Sequence, residues 1–137
     1  MNKSILVLGD TLAIALLTLI GFATHGETDL SFLPRMAALF FPLSITWFLL
    51  APPLGLFRRE TFSDARQVWR AGLAAVFAAP LAAVLRGFIL NAPVIPIFAA
   101  VLAGTSALGL MIWRLISYWL DKRRSDGQRA RAIGGGP

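Results

Sequence analysis

The sequence lacks cysteine, has one histidine and carries few charges for its length. Without cysteine, a disulfide framework, a thiolate nucleophile and a Cys-ligated metal site are all excluded. One histidine is too few for haem ligation by two histidines, and it makes a poor metal site without a second strong ligand. We therefore predict no metal ion and no cofactor. Charged residues make up 15% of the 137 residues, against about 25% in typical soluble domains.

Motifs that would indicate an enzyme are also missing. The sequence has no HExxH motif, no GxSxG nucleophile elbow and no GxxxxGKS/T phosphate loop. We therefore predict no catalytic residues and no enzymatic activity. The net charge of +6 would suggest nucleic acid for a soluble chain. No aromatic-plus-basic RNA-binding motif accompanies this charge, so we predict no nucleic-acid partner.

The sequence is rich in apolar runs instead. Hydrophobic residues make up 57% of the chain, and four runs reach the ~20 residues that one membrane-crossing helix needs. These runs cover about residues 4–23, 36–54, 71–90 and 94–120. We predict an all-α integral membrane bundle of four transmembrane helices over residues 1–121. The basic, glycine-ended tail 122–137 is predicted to be disordered.

Basic residues predict the orientation of the bundle, because Lys and Arg collect in cytoplasmic loops. With four spans, the N-terminus, the middle connection and the tail share one side of the membrane. That side carries Lys3, Arg58, Arg59, Arg66, Arg70, Lys122, Arg123, Arg124, Arg129 and Arg131. We predict that both termini are cytoplasmic, in a multi-pass protein of the inner membrane whose cytoplasmic face meets anionic lipid headgroups.

One carboxylate, Asp10, lies inside the first apolar run, where a lone charge costs ~2.5 kcal/mol or more. A charge at this position also argues against a cleaved signal peptide. Asp10 lies six residues inside the first run, and Arg114 lies six residues before the fourth run ends at Leu120, so both are expected at similar depth. We predict an intramembrane ion pair between Asp10 and Arg114. The alternative is that each side chain reaches the cytoplasmic interface separately.

A second polar cluster is predicted at the outer side of the membrane. Its members are His25, Arg35 and Arg86, at a depth close to that of Glu27 and Asp29. Such a cluster suits an anionic headgroup or a small anion. Loop polarity together with an interfacial Arg is the simpler interpretation.

Small residues recur at helical spacing in the third and fourth runs, and rows of this kind let membrane helices approach closely. The residues predicted to pack these two helices together are Gly72, Ala75, Ala79 and Ala83 in the third run and Ala100 and Gly104 in the fourth. Aromatic residues fall mostly near the predicted interfaces, where we expect them to anchor the helices. They are Trp47, Trp69, Trp113, Tyr118 and Trp119.

The stretches "LGDTLAIALLTLIGFATHG", "RGF" at Arg86 and "IWRL" at Arg114 resemble the domain-of-unknown-function family numbered 3054. The resemblance covers most of residues 5–120 and implies a small prokaryotic membrane protein with four spans. It implies no activity, since the function of that family is not established. The motif residues that the resemblance carries over are Asp10, Gly21, His25, Arg86, Gly87, Trp113 and Arg114. Family members often have Arg after the glycine of the first span, where this chain has Phe22.

Three classes of function remain. Short connections, small-residue packing faces and the missing catalytic set favour a structural or accessory subunit of a larger membrane complex. The alternative is an oligomeric small transporter or channel in which Asp10 and Arg114 are the coupling charges, since four short helices alone rarely enclose a path. A lipid-active enzyme that uses His25 and Arg86 is the weakest hypothesis. The expected partners are membrane lipids and other membrane protein subunits.

Overall fold

The computed structural model describes residues 2–136, which form helices and connections without a β-strand. In chain order the helices are α1 (Lys3–Thr24), α2 (Leu33–Leu50), the short α3 (Arg59–Phe62), α4 (Trp69–Leu90) and α5 (Pro96–Gly134). Single-turn 3₁₀ helices, Leu30–Phe32 and Ala65–Gln67, lie just before α2 and α4.

Within residues 2–136, four helical stretches are long and apolar enough to cross a membrane. They are Lys3–Thr24, Leu30–Leu50, Ala65–Leu90 and Pro96–Gly134. The predictions of an all-α fold and of four such helices are therefore confirmed, and they describe a multi-pass membrane protein.

The helix ends follow from local sequence chemistry. At the start of α1, the Asn2 side chain accepts a hydrogen bond from the backbone N–H of Ser4, as helix-capping residues do. Asn91 adopts a left-handed conformation with φ of 48°, which ends α4. Pro52 and Pro53 follow the end of α2 and cannot continue it, because proline lacks the N–H that a helix interior needs.

The four long helices form a closed arrangement in which each packs against two others. α1 contacts α2 and α5, and α4 contacts the same two helices, with the closest packing around α4. Sequential helices run antiparallel. One end of the bundle, called the Asp10 end, holds the start of α1, the end of α2, the start of α4 and Arg114 of α5. The other end, called the His25 end, holds the end of α1 and the start of α5.

Small residues of α4 form the centre of the bundle. The buried residues of this helix are Ala71, Gly72, Ala74, Ala75, Ala78, Ala79, Ala82 and Ala83. On one side, a Cβ at Gly72 would lie 2.6 Å from the Met111 sulfur of α5. On the other side, Thr46 of α2 donates a hydrogen bond to the Ala78 carbonyl at 3.0 Å. The absence of larger side chains on α4 therefore lets both neighbours approach its backbone.

The small residues of α5 behave differently from the sequence prediction. Ala100 and Gly104 are exposed, and a Cβ at Gly104 would have nothing within 4 Å. The prediction that these two residues pack against α4 is wrong. The buried face of α5 instead carries Ser106 and Leu110, and Gly104 lies about 160° from Ser106 at 100° per residue. Small-residue spacing does not specify which face of a helix turns inward.

The tail also differs from its prediction, because residues 122–134 continue α5 as helix. Lys, Arg, Gln and Ala are good helix formers, and extending an existing helix avoids the cost of nucleation. With 39 residues, α5 is about 58 Å long at 1.5 Å per residue. The hydrocarbon core of a bilayer is about 30 Å thick, so the basic end of α5 projects beyond the Asp10 end of the bundle.

Candidate functional site

Asp10 and Arg114 contact each other inside the Asp10 end of the bundle. α1 places the Asp10 side chain at 0% exposure, and α5 places Arg114 at 4% exposure. The Nη2 atom of Arg114 lies 2.6 Å from Oδ2 of Asp10, a charge-assisted hydrogen bond as well as an ion pair. The two residues are 104 positions apart in sequence. The alternative of two side chains that reach the interface separately does not describe this geometry.

Two tryptophans complete the surroundings of the Asp10 carboxylate. The indole N–H of Trp47, on α2, donates to Oδ2 at 3.0 Å, and that of Trp113, on α5, donates to Oδ1 at 2.9 Å. Trp47 is fully buried. The interpretation of these two residues as interfacial anchors is therefore wrong, because their polar N–H groups point to a carboxylate inside the bundle.

Glycine at two positions permits the close approach of α1 and α5. A Cβ at Gly9 would overlap the Trp113 ring, so the missing side chain lets Trp113 reach the carboxylate of the next residue, Asp10. At Gly109 of α5, a Cβ would lie 2.6 Å from the Leu17 side chain of α1. Neither glycine is among the packing residues predicted from the sequence. The adjacency of Gly9 to Asp10 was the available signal, since a carboxylate that needs donors also needs room for them.

Arg114 also holds the connection between α2 and α3. Its Nη1 atom donates to the Leu56 carbonyl at 2.7 Å, and its guanidinium carbon lies 5.1 Å from the centre of the Phe57 ring. Arg70 of α4 makes a similar contact with this connection, donating to the Leu54 carbonyl at 3.2 Å. We call Asp10, Trp47, Trp113, Arg114 and the Leu56 carbonyl the Asp10 network.

A second candidate site is a cavity of about 450 Å³ in the His25 half of the bundle. Residues of all four long helices line this interhelical cavity, and most of them are apolar. Among the lining residues are Leu17, Gly21, Leu39, Ala83, Phe98 and Leu102. Neither Asp10 nor Arg114 reaches the interhelical cavity, so the two sites occupy different halves of the protein.

Only two of the three residues of the predicted outer cluster line this cavity. His25 and Arg86 line it, together with Glu27, whereas Arg35 does not. Arg35 and Glu27 nevertheless lie close enough to Arg86 to interact with it electrostatically. The Arg86 guanidinium carbon lies 4.9 Å from the centre of the Phe98 ring, a cation–π distance. Its Nε atom is buried and has no hydrogen-bond partner within residues 2–136.

Within the part of the chain that the structure describes, no three His, Asp or Glu side chains form a group that could hold a metal ion. At the Asp10 end, Asp64 accepts a hydrogen bond from the backbone N–H of Arg66 at 3.0 Å. This hydrogen bond holds the pKa of the partly exposed Asp64 carboxyl below its ordinary value.

Comparison with protein families matches residues 7–117 to the family described as "Protein of unknown function (DUF3054)". The chain belongs to this family. The DUF3054 match spans both candidate sites, and the motif residues of the sequence resemblance fall into them in two groups. Asp10, Trp113 and Arg114 belong to the Asp10 network, while Gly21, His25, Arg86 and Gly87 line the interhelical cavity. No curated protein and no solved structure matches the chain.

Proposed function

We propose that this protein is a non-enzymatic accessory subunit of a larger membrane complex in the inner membrane. The observation that carries this proposal is that the buried Asp10 carboxylate finds its hydrogen-bond donors within the same bundle. The Asp10 carboxylate accepts hydrogen bonds from Arg114, Trp47 and Trp113, three donors on two other helices. A carboxylate on α1 that accepts hydrogen bonds from α2 and α5 holds these three helices together.

A transporting or catalytic carboxylate needs access to its substrate, and Asp10 has none within the bundle. It is fully buried and lies outside the interhelical cavity. Arg114 is 4% exposed and donates to Asp10 and to the Leu56 carbonyl, while its Nε atom has no hydrogen-bond partner among the described residues. The Asp10 network therefore fits a role in fixing the positions of α1, α2 and α5 better than a role in moving an ion.

The outer surface of the bundle supports association within the membrane. Large apolar side chains are exposed on each long helix, among them Leu16, Phe41, Phe77 and Ile112. In a bilayer such side chains meet lipid or the helices of another subunit. The basic end of α5 adds a polar helix, projecting beyond the Asp10 end, that a partner subunit or anionic headgroups can contact.

Copurification tests this proposal. The tagged full chain, expressed at its native level, is extracted in mild detergent and passed through two separations, size exclusion and native electrophoresis. We expect a second protein of different sequence to accompany it at a fixed ratio through both. Migration solely as multiples of this chain would contradict the accessory-subunit proposal.

A second candidate is an oligomeric small transporter or channel with Asp10 and Arg114 as its coupling charges. A cavity lined by all four long helices resembles one half of a transport path, although neither Asp10 nor Arg114 lines it. In liposomes that contain the purified chain, such a transporter would lose flux on Asp10→Asn while its oligomeric state stays unchanged. Flux that survives Asp10→Asn would contradict this role for the pair.

A further inference from the structure

The interhelical cavity is large enough to hold a ligand. Its volume of about 450 Å³ falls within the ~300–1,000 Å³ typical of ligand pockets. Apolar walls do not retain water, and an empty cavity leaves its lining atoms without contacts. Leu17, Leu39 and Leu102 form such walls on three different helices. An apolar molecule from the surrounding bilayer is therefore the expected content.

The interhelical cavity opens sideways between α1 and α5. Ile20 on α1 and Val101 on α5 both line it, and each is 58% exposed. Residues that are at once part of the wall and exposed to lipid mark the rim of an opening. A lipid acyl chain can enter through this rim without crossing water or passing through the bundle.

The chemistry at the His25 end of the cavity selects the headgroup. Arg86 lines the cavity, and because its Nε atom is buried, the terminal nitrogens of its guanidinium are the donors that a ligand in the cavity can meet. A guanidinium donates in a planar fork that matches phosphate oxygens. Arg35 adds a second positive charge nearby, and Glu27 offsets one of the two. His25 lies at the same end of the cavity. Two positive charges and one negative charge therefore leave a net positive charge at this end of the cavity, which favours a negatively charged headgroup.

From these observations we propose that the interhelical cavity binds one anionic phospholipid. An acyl chain lies between α1 and α5, and the lipid phosphate accepts hydrogen bonds from Arg86. This site is separate from the Asp10 network and does not depend on the protein being an accessory subunit.

Lipid titration with native mass spectrometry tests the headgroup. The delipidated full chain in non-ionic detergent is titrated with phosphatidylglycerol or phosphatidylcholine that carries identical acyl chains. Both lipids offer a phosphate to Arg86, but phosphatidylcholine also carries a cationic choline group, which Arg86 and Arg35 repel. We expect phosphatidylglycerol to bind about tenfold more tightly because of this difference in charge. In Arg86→Gln, both lipids lose this phosphate donor and should bind more weakly, and the preference for phosphatidylglycerol should largely disappear. Arg66→Gln, at an exposed residue of the Asp10 end, is the charge-matched control and should bind as wild type does.

Substitutions at two glycines test whether the lipid binds in the interhelical cavity. Gly21 lines the cavity, and a Cβ there would have nothing within 4 Å, so Gly21→Phe should fill the space without a clash. We expect Gly21→Phe, and to a smaller extent Gly21→Leu, to abolish binding of both lipids. Gly104→Phe places the same side chain on the exposed face of α5 and should leave binding unchanged. Helix content and a single gel-filtration peak identify the variants that remain folded.

Four results would overturn the proposal. The first is equal affinity of the wild-type chain for the two lipids. The second is undiminished lipid binding by folded Gly21→Phe and Gly21→Leu. The third is a self-associated wild type that retains no lipid and dissociates on Gly21→Phe, which would assign the cavity to a protein helix. Glycerol phosphate at the concentration of the lipid should not compete, and competition at that level would point to a free anion instead.

Discussion

Asp10 accepts hydrogen bonds at both carboxylate oxygens, with Trp113 at Oδ1 and with Trp47 and Arg114 at Oδ2. Removing a charge from water costs several kcal/mol, and a partner charge offsets this cost only when hydrogen bonds satisfy the remaining polar atoms. At Asp10 these conditions are met by side chains from two other helices. The stability of the Asp10 end therefore depends on groups far apart in sequence.

Removal of either charge should destabilise the protein. Asp10→Asn leaves the Arg114 guanidinium buried without a counter-charge, and Arg114→Gln does the same to the carboxylate. Breaking a buried pair costs ~3–5 kcal/mol in soluble proteins, and we expect the lower part of that range near the membrane interface. Thermal unfolding in detergent measures each loss. The double variant should recover part of it, because neither charge then lacks a partner.

The exposed ion pair between Arg66 and Asp64 is the matched control, with an Arg66 side chain that is 89% exposed. Exposed pairs contribute ~0–1 kcal/mol, so Arg66→Gln should change stability little. Strictly additive losses in the Asp10→Asn, Arg114→Gln double variant would show that the two charges do not support each other.

A second prediction concerns the contribution of a single tryptophan N–H group to stability. Trp113→Phe keeps an aromatic ring and removes only the N–H that binds Oδ1 of Asp10. The loss of one hydrogen bond to a charged group should lower the free energy of unfolding by ~1.5–3 kcal/mol. Trp119→Phe, at a residue 52% exposed toward the outside of the bundle, should change it by less than ~0.5 kcal/mol. Chemical unfolding in detergent compares them, and equal effects would remove Trp113 from the network.

At this scale the sequence predicted the contact between Asp10 and Arg114 through their matched depths. It did not predict Trp47 as a third partner, because that contact depends on how far α2 is rotated about its own axis. Hydropathy reports the depth of a residue in the membrane but not the direction in which its side chain points. The same limit explains why Trp113, next to Arg114 in sequence, was assigned to the interface.

At the scale of the helices, the space around each glycine shows which helix faces pack against a neighbour and which are exposed. A Cβ at Gly9 would overlap Trp113, and one at Gly72 would press on Met111. At Gly104 the same added atom has open space. Close packing of α5 therefore occurs along the face that meets α1 and α4, and the exposed face tolerates larger side chains.

Alanine substitution should reveal this difference directly. Gly9→Ala forces Trp113 or α1 to shift, and overpacking of this kind lowers stability by ~1–3 kcal/mol. Gly104→Ala should raise stability by up to ~1 kcal/mol, because Ala is a better helix former and meets nothing at this position. Unfolding midpoints of the two variants in one detergent give the comparison. Destabilisation by Gly104→Ala would mean that this face of α5 is buried in an oligomer.

The number and approximate limits of the long helices were predictable because each is an apolar run of sufficient length. The packing face of α5 was not, because rows of small residues occur on both its buried and its exposed sides. The helical state of residues 122–134 was missed for another reason. Polar composition indicates that a segment cannot form a core of its own, but it does not prevent an existing helix from continuing.

Over the whole molecule, basic residues are concentrated at the Asp10 end. This end carries the N-terminal Lys3, the arginines of the connection between α2 and α4, and the basic part of α5 beyond residue 121. The His25 end carries Arg35 and Arg86. Lys and Arg near membrane spans stay on the cytoplasmic side. We therefore predict that the Asp10 end is cytoplasmic and that the His25 half of the bundle, with the interhelical cavity, faces the outside.

Cysteine labelling tests this orientation against a clean background, since the chain has no cysteine of its own. Thr28 lies in the exposed connection at the His25 end, and Gly136 lies just beyond the end of α5. In intact cells, Thr28→Cys should react with a membrane-impermeant thiol reagent, and Gly136→Cys should react only after the membrane is opened. Both positions are exposed, so a difference between them reports sidedness rather than burial. Labelling of Gly136→Cys alone in intact cells would reverse the topology and turn the His25 end toward the cytoplasm.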